Sequence, residues 1–289
     1  MNKIIENMPE KEYRAHPAVS QSDLKNLAKA PLYYKYKKEN PSADTPALKI
    51  GRMIHTYILE QDKFEKEYFV TEKVNRTTKA GKEAFAIAQE KANGREIIWN
   101  QDIEAAKKMK EMVMKLEVNT GTEEAPKIVK LFEALNKKAS KELSIFWQDP
   151  DTGVECKGRI DGYSEYWNML FDLKTTQDCL DGEFRRSFFK YKYHIQAAFY
   201  MDGIKELTGK APEGFMIFAL EKEDPYLCKS HYTDFNDEPI ETGRKEYKYM
   251  LNLYSECESK NNFNEAFEKE MGEIKFVPPW YSKLTPEEF

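Results

Sequence analysis

One segment near the middle of the chain constrains the fold most, because it reads as a β-hairpin that collects charged side chains. Its first run, 156–163, carries Asp161, and its second run, 169–175, carries Asp172 and Lys174. Side chains alternate faces along a strand, so Asp172 and Lys174 project from the same side. A hairpin closed through the polar turn between the runs brings Asp161 opposite the second run, roughly 5 Å away.

Two carboxylates held this close repel each other unless a cation lies between them. Mg²⁺ and Mn²⁺ prefer oxygen ligands, and a neighbouring lysine can orient a water or steady a phosphate. These groups suit metal-assisted hydrolysis of a phosphodiester. The competing interpretation is structural, with the carboxylates paired to Lys157 and Arg159. Apolar neighbours such as Phe171 favour a central strand, in which charges need partners.

Five short motifs lie along the chain, and two of them belong to this hairpin. They are Ser20-Gln21-Ser22-Asp23-Leu24-Lys25, Gly51-Arg52-Met53-Ile54-His55, Lys157-Gly158-Arg159-Ile160-Asp161, Asp172-Leu173-Lys174 and Gln196-x-x-x-Tyr200. In this order they resemble the PD-(D/E)XK nuclease superfamily, and more narrowly its exonuclease VIII (RecE-type) branch from phages and prophages. The second and last are similar to the G-x-x-x-H and Q-x-x-x-Y motifs of RecB-like nucleases. The resemblance spans roughly residues 18–205, and Ile160 stands where the superfamily usually has proline.

The resemblance implies a role for each motif residue. His55, Asp161, Asp172 and the main-chain carbonyl of Leu173 would hold one or two Mg²⁺ ions, and the softer imidazole ligand favours tolerance of Mn²⁺. Lys174 would position the attacking water. In the Q-x-x-x-Y motif, Gln196 would orient the water or the lysine, and Tyr200 would touch the DNA backbone. Without the resemblance, a histidine on an apolar helix stripe, such as His55, is more often a core residue than a metal ligand.

The activity implied by the resemblance is a 5′→3′ exonuclease that degrades linear double-stranded DNA and leaves 3′ single-stranded tails for phage-type recombination. The family also implies a single-strand annealing protein as partner and a ring-shaped homo-oligomer. Three alternatives stay open from the residues alone: a structure- or site-specific endonuclease, a catalytically inactive DNA-binding module, and a scaffold whose hairpin carboxylates are only ion-paired.

Two basic stretches are candidate DNA contacts. Arg76, Lys79 and Lys82 lie at a predicted helix start, where free N–H groups and cations suit a phosphate. Arg185 and Arg186 precede the helix of the Q-x-x-x-Y motif. Either stretch also reads as an ordinary solvated face.

The order of predicted elements indicates an α/β (α+β) fold with a central mixed sheet flanked by helices, as in the restriction-endonuclease-like core. Period-two patterns predict strands at 144–148, 154–163 and 169–175, then at 214–220 and 228–232. Helices are expected near 20–30, 45–59, 78–92, 100–116, 193–207 and 239–260. We expect an N-terminal tail at 1–17 and a single domain at 18–289. Within it, 70–140 would be a helical decoration and 142–207 the catalytic hairpin and helix.

Composition bounds the remaining possibilities. The 289 residues are 40% hydrophobic and 33% charged, without an apolar run long enough for a membrane span or a secretion signal. Four cysteines lie far apart, which predicts reduced thiols, a cytoplasmic location and no iron–sulphur cluster. The net charge of −5 does not indicate DNA binding. It does not exclude DNA binding either, because a metal site built from carboxylates adds negative charge, and basic residues need only line the path of the DNA.

Overall fold

The computed structural model describes residues 2–41 and 44–264. The strands are β1 (Lys3–Ile5), β2 (Val19–Ser20), β3 (Tyr68–Thr71), β4 (Glu96–Trp99), β5 (Glu117–Asn119), β6 (Ile128–Lys130), β7 (Ala139–Gln148), β8 (Glu155–Ser164), β9 (Met169–Thr176), β10 (Gly214–Glu221) and β11 (Cys228–Asp234). The helices are α1 (Glu10–Ala15), α2 (Gln21–Lys29), α3 (Pro31–Glu39), α4 (Pro46–Leu59), α5 (Gln61–Glu67), α6 (Lys79–Ala92), α7 (Asn100–Met114), α8 (Leu131–Asn136), α9 (Asp181–Lys190), α10 (Tyr193–Thr208) and α11 (Glu238–Ser259).

A mixed sheet forms the centre of the fold, as the sequence predicts. Its strand order is β1-β7-β8-β9-β10-β11, and β2 joins beside β8. The neighbours β7, β8 and β9 are antiparallel meander strands, whereas β10 runs parallel to β9. A parallel pair needs a crossover connection, which α9 and α10 supply.

Helices cover the sheet on both faces, because β10 is apolar on both. Phe215, Ile217 and Ala219 pack into one core cluster, with residues of α2, α10 and α11. The alternate residues Met216 and Phe218 pack into a second cluster, with residues of α4, α5, α7 and α8. A strand buried on both sides is typical of a parallel sheet between helix layers. The β8–β9 hairpin therefore lies between two cores that hold its strands in place.

The N-terminal segment differs from the expectation that 1–17 is a tail. Strand β1 pairs with β7, with Ile4 opposite Ile145. The ammonium of Lys157, only 4% exposed, donates to the carbonyls of Tyr13 and His16 at 2.9 and 2.6 Å. The Tyr13 carbonyl also accepts from the N–H of His16, whereas the His16 carbonyl lies past the end of α1 and is satisfied by the lysine. The segment is thereby part of the folded body.

The region 70–140 holds helices α6, α7 and α8, as expected, together with short strands. Strand β4 pairs in parallel with β3, and β5 and β6 form a small hairpin. Both pairs stand apart from the main sheet. In the part of the chain that the structure describes, no helix combines the length and apolarity needed to cross a membrane. The predicted extent of the domain to residue 289 reaches beyond the described residues and stays a prediction.

Candidate active site

The site is built where strands β8 and β9 separate. Their ladder pairs Gly162 with Phe171 and ends there, so the next residues, Asp161 and Asp172, stand at the opening of a fork. The close approach below the fork requires glycine, because a Cβ at Gly162 would lie 2.0 Å from the Phe171 ring. Beyond the fork, Asp161 replaces the lost ladder bond by accepting from the main-chain N–H of Leu173 at 2.9 Å. The hairpin thus presents both carboxylates at one point.

Asp172 is held by two partners although it is almost completely buried. Gln196 Nε2 donates to its Oδ1 at 2.8 Å, and Lys174 Nζ lies 2.6 Å from its Oδ2. Burial and the charge of Asp161 raise the pKa of Asp172 to about 6. Burial would lower the pKa of Lys174, but the two aspartates outweigh it and raise that pKa above its ordinary value. The lysine therefore stays an ammonium group at neutral pH.

His55 reaches the fork from helix α4. That helix starts at a Thr45 cap whose hydroxyl accepts from the N–H of Leu48, with Pro46 in its first turn. His55 Nδ1 lies 3.2 Å from Asp161 Oδ2. Burial disfavours the charged imidazole, yet Asp161 beside it raises the pKa of His55 to about 9. Burial likewise opposes the charge of Asp161, and His55 nevertheless holds the pKa of Asp161 below its usual value.

Glu142 is an acidic member of the site that the sequence analysis missed. The ladder pairs Lys141 with Gly162 and Leu143 with Ile160, so Glu142 stands opposite Asp161. Its backbone is left-handed, with φ of 47°, which interrupts the ladder at this position and is costly for a residue with a side chain. Burial and the charge of Asp161 raise the pKa of Glu142 to about 7. Had the β7–β8 turn been used to fix the register, it would have pointed to this residue.

Three of these side chains can bind one cation together. Ligand atoms of His55, Glu142 and Asp161 all lie within 4.8 Å of one another. Two carboxylates and an imidazole are hard and borderline ligands that suit Mg²⁺ or Mn²⁺. Asp172 lines the same cavity but stands outside this group of three. The donor set therefore fits a divalent cation, although it differs in membership from the predicted one.

The fork opens into a cavity of about 1040 Å³. Six of the sequence-predicted residues line it, namely His55, Asp161, Asp172, Lys174, Gln196 and Tyr200. The predicted ligand Leu173 does not, because its side chain is buried in the opposite core and its N–H is bonded to Asp161. Its carbonyl as a ligand stays a prediction. Gly51 also lines the cavity, and a Cβ there would meet open space rather than a packed backbone.

The Q-x-x-x-Y residues lie on α10 beneath the fork. Gln196 bonds to Asp172 and not to the lysine, so it orients a carboxylate. Tyr200 is only 6% exposed and belongs to the core cluster against the sheet. Its proposed contact with the DNA backbone stays a prediction, since little of the ring faces the cavity.

The first predicted basic stretch lies away from the fork. Arg76 stacks on Phe85, with its guanidinium carbon 4.2 Å from the ring centre. Lys79 and Lys82 are exposed at the start of α6, which is capped by Thr78. None of these cations lines the main cavity. Arg76 instead lines a smaller cavity beside the N-terminal half of α4.

The second basic stretch also stands outside the cavity lining. Arg185 and Arg186 are exposed on α9, and Arg186 forms an ion pair with Glu183 at 2.5 Å. Neither arginine lines the cavity. The cavity contains other arginines, which the sequence analysis did not select. Arg52 pairs with Glu10 at 3.7 Å, and Arg159 Nε lies 3.6 Å from Glu142. Arg159 lies two residues before Asp161 on β8 and Arg52 three residues before His55 on α4, so strand and helix periodicity place them on the same side as the site.

Comparisons with known proteins agree with this architecture. A crystal structure of a candidate exonuclease from Eubacterium rectale covers 94% of this chain and 96% of its own, at 13% identity and a TM-score of 0.60, which shows a shared fold. An alkaline exonuclease from Laribacter hongkongensis aligns over 66% of this chain and 88% of its own, at 11% identity, with a TM-score of 0.26 that is too low to support an argument. No curated protein sequence matches the chain.

A family model described as a PDDEXK-like domain of unknown function (DUF3799) matches residues 20–269. This range contains the fork, the helix that carries His55 and the helix that carries Gln196. The match covers most of the chain, and the expected superfamily is therefore confirmed, whereas the narrower RecE-type branch stays a prediction. The chain belongs to the DUF3799 family of PDDEXK-like domains, within the PD-(D/E)XK nuclease superfamily.

Proposed function

We propose that the protein is a metal-dependent deoxyribonuclease. The observation that carries the proposal is the convergence of Asp161, Asp172 and Lys174 at the β8–β9 fork, with His55 3.2 Å from Asp161. Burying two carboxylates beside an ammonium and an imidazole costs desolvation free energy that their mutual attraction offsets only in part, which is unfavourable for folding alone. A site that tolerates this cost is better explained by chemistry than by structural ion pairing.

The proposed cofactor is Mg²⁺, with Mn²⁺ as a functional substitute. His55, Glu142 and Asp161 would hold the cation, with Asp172 beside them. When bound, it would supply the Lewis acid that polarises a phosphate oxygen and makes an attacking water more acidic. Because a ligand must release its proton first, the raised pKa values of His55 and Glu142 make cation binding pH-dependent.

The protein's own groups position the reaction. The Lys174 ammonium, held by Asp172, would face the phosphoryl oxygens and stabilise the negative charge that grows on them. Gln196 keeps the Asp172 carboxylate in one orientation. Leu173 does the same for Asp161 through its main-chain N–H. Fixed partners of this kind reduce the reorganisation that the reaction requires.

The finer activity follows from the resemblance to the exonuclease VIII branch. We propose degradation of linear double-stranded DNA from 5′ ends, leaving 3′ single-stranded tails for recombination. A single-strand annealing protein as partner, a ring-shaped homo-oligomer and a cytoplasmic location belong to the same proposal. Sizing chromatography with light scattering tests the ring, and a monomer would exclude it.

The nuclease proposal is tested with linear duplexes labelled at either the 5′ or the 3′ end and with closed circular duplex, each with Mg²⁺. We expect early release of the 5′ label from linear DNA and no loss of the circle. Early release of the 3′ label would reverse the polarity, and cutting of the circle would favour an endonuclease. Absence of cleavage with both Mg²⁺ and Mn²⁺ would support an inactive DNA-binding module.

Lys174→Ala separates chemistry from cation binding. The lysine is proposed to act on the phosphate, so calorimetry should show cation affinity that persists or rises slightly as a like charge is removed. The rate of cleavage at saturating DNA should fall. Joint loss of cation binding and cleavage would contradict the assigned role.

A further inference from the structure

A stripe of lysine and tyrosine side chains runs along helices α2 and α3. Lys25 and Lys29 lie one turn apart on α2, and Tyr33 and Lys37 lie one turn apart on α3. The Lys29 ammonium is 3.9 Å from the centre of the Tyr33 ring, and the Lys37 ammonium is 5.7 Å from the same centre. The break between the helices at Ala30 therefore does not interrupt the stripe.

One end of the stripe adjoins the candidate active site. Lys25 Nζ donates to the main-chain oxygen of Tyr191 at 2.9 Å. The rings of Tyr191 and Tyr193 are 5.8 Å apart, and Lys174 Nζ lies 5.0 Å from the centre of the Tyr193 ring. Continuous contacts thus join Lys25 to the lysine of the fork. Burial, and after it the charge of Lys174, lowers the pKa of Lys25 to about 8, in keeping with this proximity.

Helix α2 is fixed firmly relative to the fork. Its first turn carries a capping box, in which Ser20 and Asp23 bond to each other's main-chain N–H groups. Strand β2, just before it, pairs with β8 at Cys156 and Lys157. Since β8 also carries Asp161, the stripe and the carboxylates are held on one rigid frame. The capping box accounts for Ser20 and Asp23 in the first sequence motif, whereas Lys25 lies outside the box and bonds to the Tyr191 carbonyl.

The charge of the stripe is not neutralised at its two α2 positions. Neighbouring lysines have acidic partners, such as Lys192 with Glu246 at 2.9 Å and Lys38 with Asp23 at 3.2 Å. Among residues 2–41 and 44–264, no carboxylate forms an ion pair with Lys25 or Lys29. Two cations that lack acidic partners beside a phosphate-hydrolysing site are suited to bind phosphates.

We propose that Lys25, Lys29, Tyr33 and Lys37, called here the α2–α3 stripe, bind a single-stranded segment of the DNA that enters the cavity. This inference rests on the proposed nuclease function and names the form of its substrate at the site. Lysines spaced one turn apart would contact successive phosphates, and Tyr33 would stack on a base. Tyr191, 52% exposed and with its ring 5.8 Å from that of Tyr193, offers a second ring. In a duplex the base faces are already stacked, so aromatic rings favour an unpaired strand.

The test measures binding without cleavage, by fluorescence anisotropy in chelator, with a labelled single-stranded oligonucleotide and a duplex of equal length. Lys25→Gln with Lys29→Gln should weaken single-strand binding and flatten its dependence on log salt by about 1.4, which is about 0.7 per lost phosphate contact. Tyr33→Leu should weaken single-strand binding at least ~5-fold, whereas Tyr33→Phe, which keeps the ring, should bind normally. The matched control is Lys91→Gln with Lys115→Gln, two exposed lysines on α6 and after α7.

An unchanged affinity and salt slope in the α2–α3 double variant would overturn the proposal, as would equal losses in the control pair. A loss confined to the duplex would also overturn it. Melting curves establish that each variant is folded, and Tyr33→Phe identifies the ring as the binding group. If the variants show these losses of binding but the wild-type protein cleaves no DNA with Mg²⁺ or Mn²⁺, the nuclease function is excluded, while the stripe remains a single-strand binding surface.

Discussion

Among single side chains, Asp172 gives the most direct test of the chemistry. Asp172→Asn removes a carboxylate at the fork, and single-turnover cleavage should fall by about 10³-fold or more. Stability in chelator should change little or rise, because burial and Asp161 already disfavour the charged Asp172 side chain, with a pKa of about 6. The control is Glu206→Gln, an exposed acid on α10. Near-normal rates in both Asp161→Asn and Asp172→Asn would show that the site is assigned wrongly.

His55 distinguishes a metal ligand from a core residue. As a ligand, its removal in His55→Ala should raise the Mg²⁺ concentration for half-maximal cleavage, and excess Mn²⁺ should partly restore the rate. His231→Ala is the control, since this half-buried ring stacks on Phe184 and bonds to the Cys179 carbonyl. The control should melt earlier without a change in metal response. A His55→Ala protein that behaves like the control would place His55 in a purely structural role.

The members of the site differ in how far the sequence reveals them. Asp161, Asp172 and Lys174 could be placed together because alternation along a strand and one turn determine their positions. Glu142 was missed, because its left-handed backbone breaks that alternation and only the register set by the β7–β8 turn points to it. Surface cations are still harder to assign, because a lysine's position relative to the fork depends on packing between remote helices.

For helices and strands, length and local pattern explain what was predicted and what was missed. Strands β8 and β9 and helices α4 and α10 were expected close to their observed bounds, since each carries a long periodic pattern and clear end signals, whereas β7 begins at Ala139 instead of the predicted Ser144. Short elements such as β1 and α1 were not expected, because long-range contacts hold them. Strand β1 spans only Lys3–Ile5 and depends on pairing with β7. Local propensity cannot report such contacts.

The attachment of the N-terminal segment depends on Lys157. Lys157→Met keeps the aliphatic stem but removes the donor to the His16 carbonyl and one of the donors to the Tyr13 carbonyl, so the free energy of unfolding in urea should fall by about 1–3 kcal/mol. The exposed Lys137→Met is the control and should change it little. Residues 7–11 line the cavity, so detachment of α1 should also weaken DNA binding. Equal stability of the two variants would mean that Lys157 does not attach residues 1–17 to the rest of the fold, as expected of a tail.

Over the molecule as a whole, the site makes the metal-free protein less stable as pH rises. The pKa values of Asp172, Glu142 and His55 are raised to about 6, 7 and 9 from ordinary values of 3.8, 4.5 and 6.5. The folded state therefore binds these protons more tightly than the unfolded state does. The stability that this proton binding contributes is fully present below the ordinary pKa values and is lost as pH rises through the raised pKa values. Asp161, whose pKa is lowered, acts in the opposite direction, but only in acid below about pH 4.

Urea unfolding at about pH 5, 7 and 9 tests this linkage. In chelator, stability should decline from pH 5 to 7, whereas above pH 8 the pKa values of Lys25 and Lys157, both lowered to about 8 by burial, oppose the effect of His55. Saturating Mn²⁺ should compensate increasingly as pH rises, because the cation binds only deprotonated ligands of the folded state. Glu142→Gln should reduce the decline between pH 5 and 7 by on the order of 1–3 kcal/mol, since each pKa unit corresponds to ~1.4 kcal/mol. Exposed Glu206→Gln should not alter it. A decline that Glu142→Gln leaves unchanged would mean that Glu142 is not one of the residues whose protons the cation must displace.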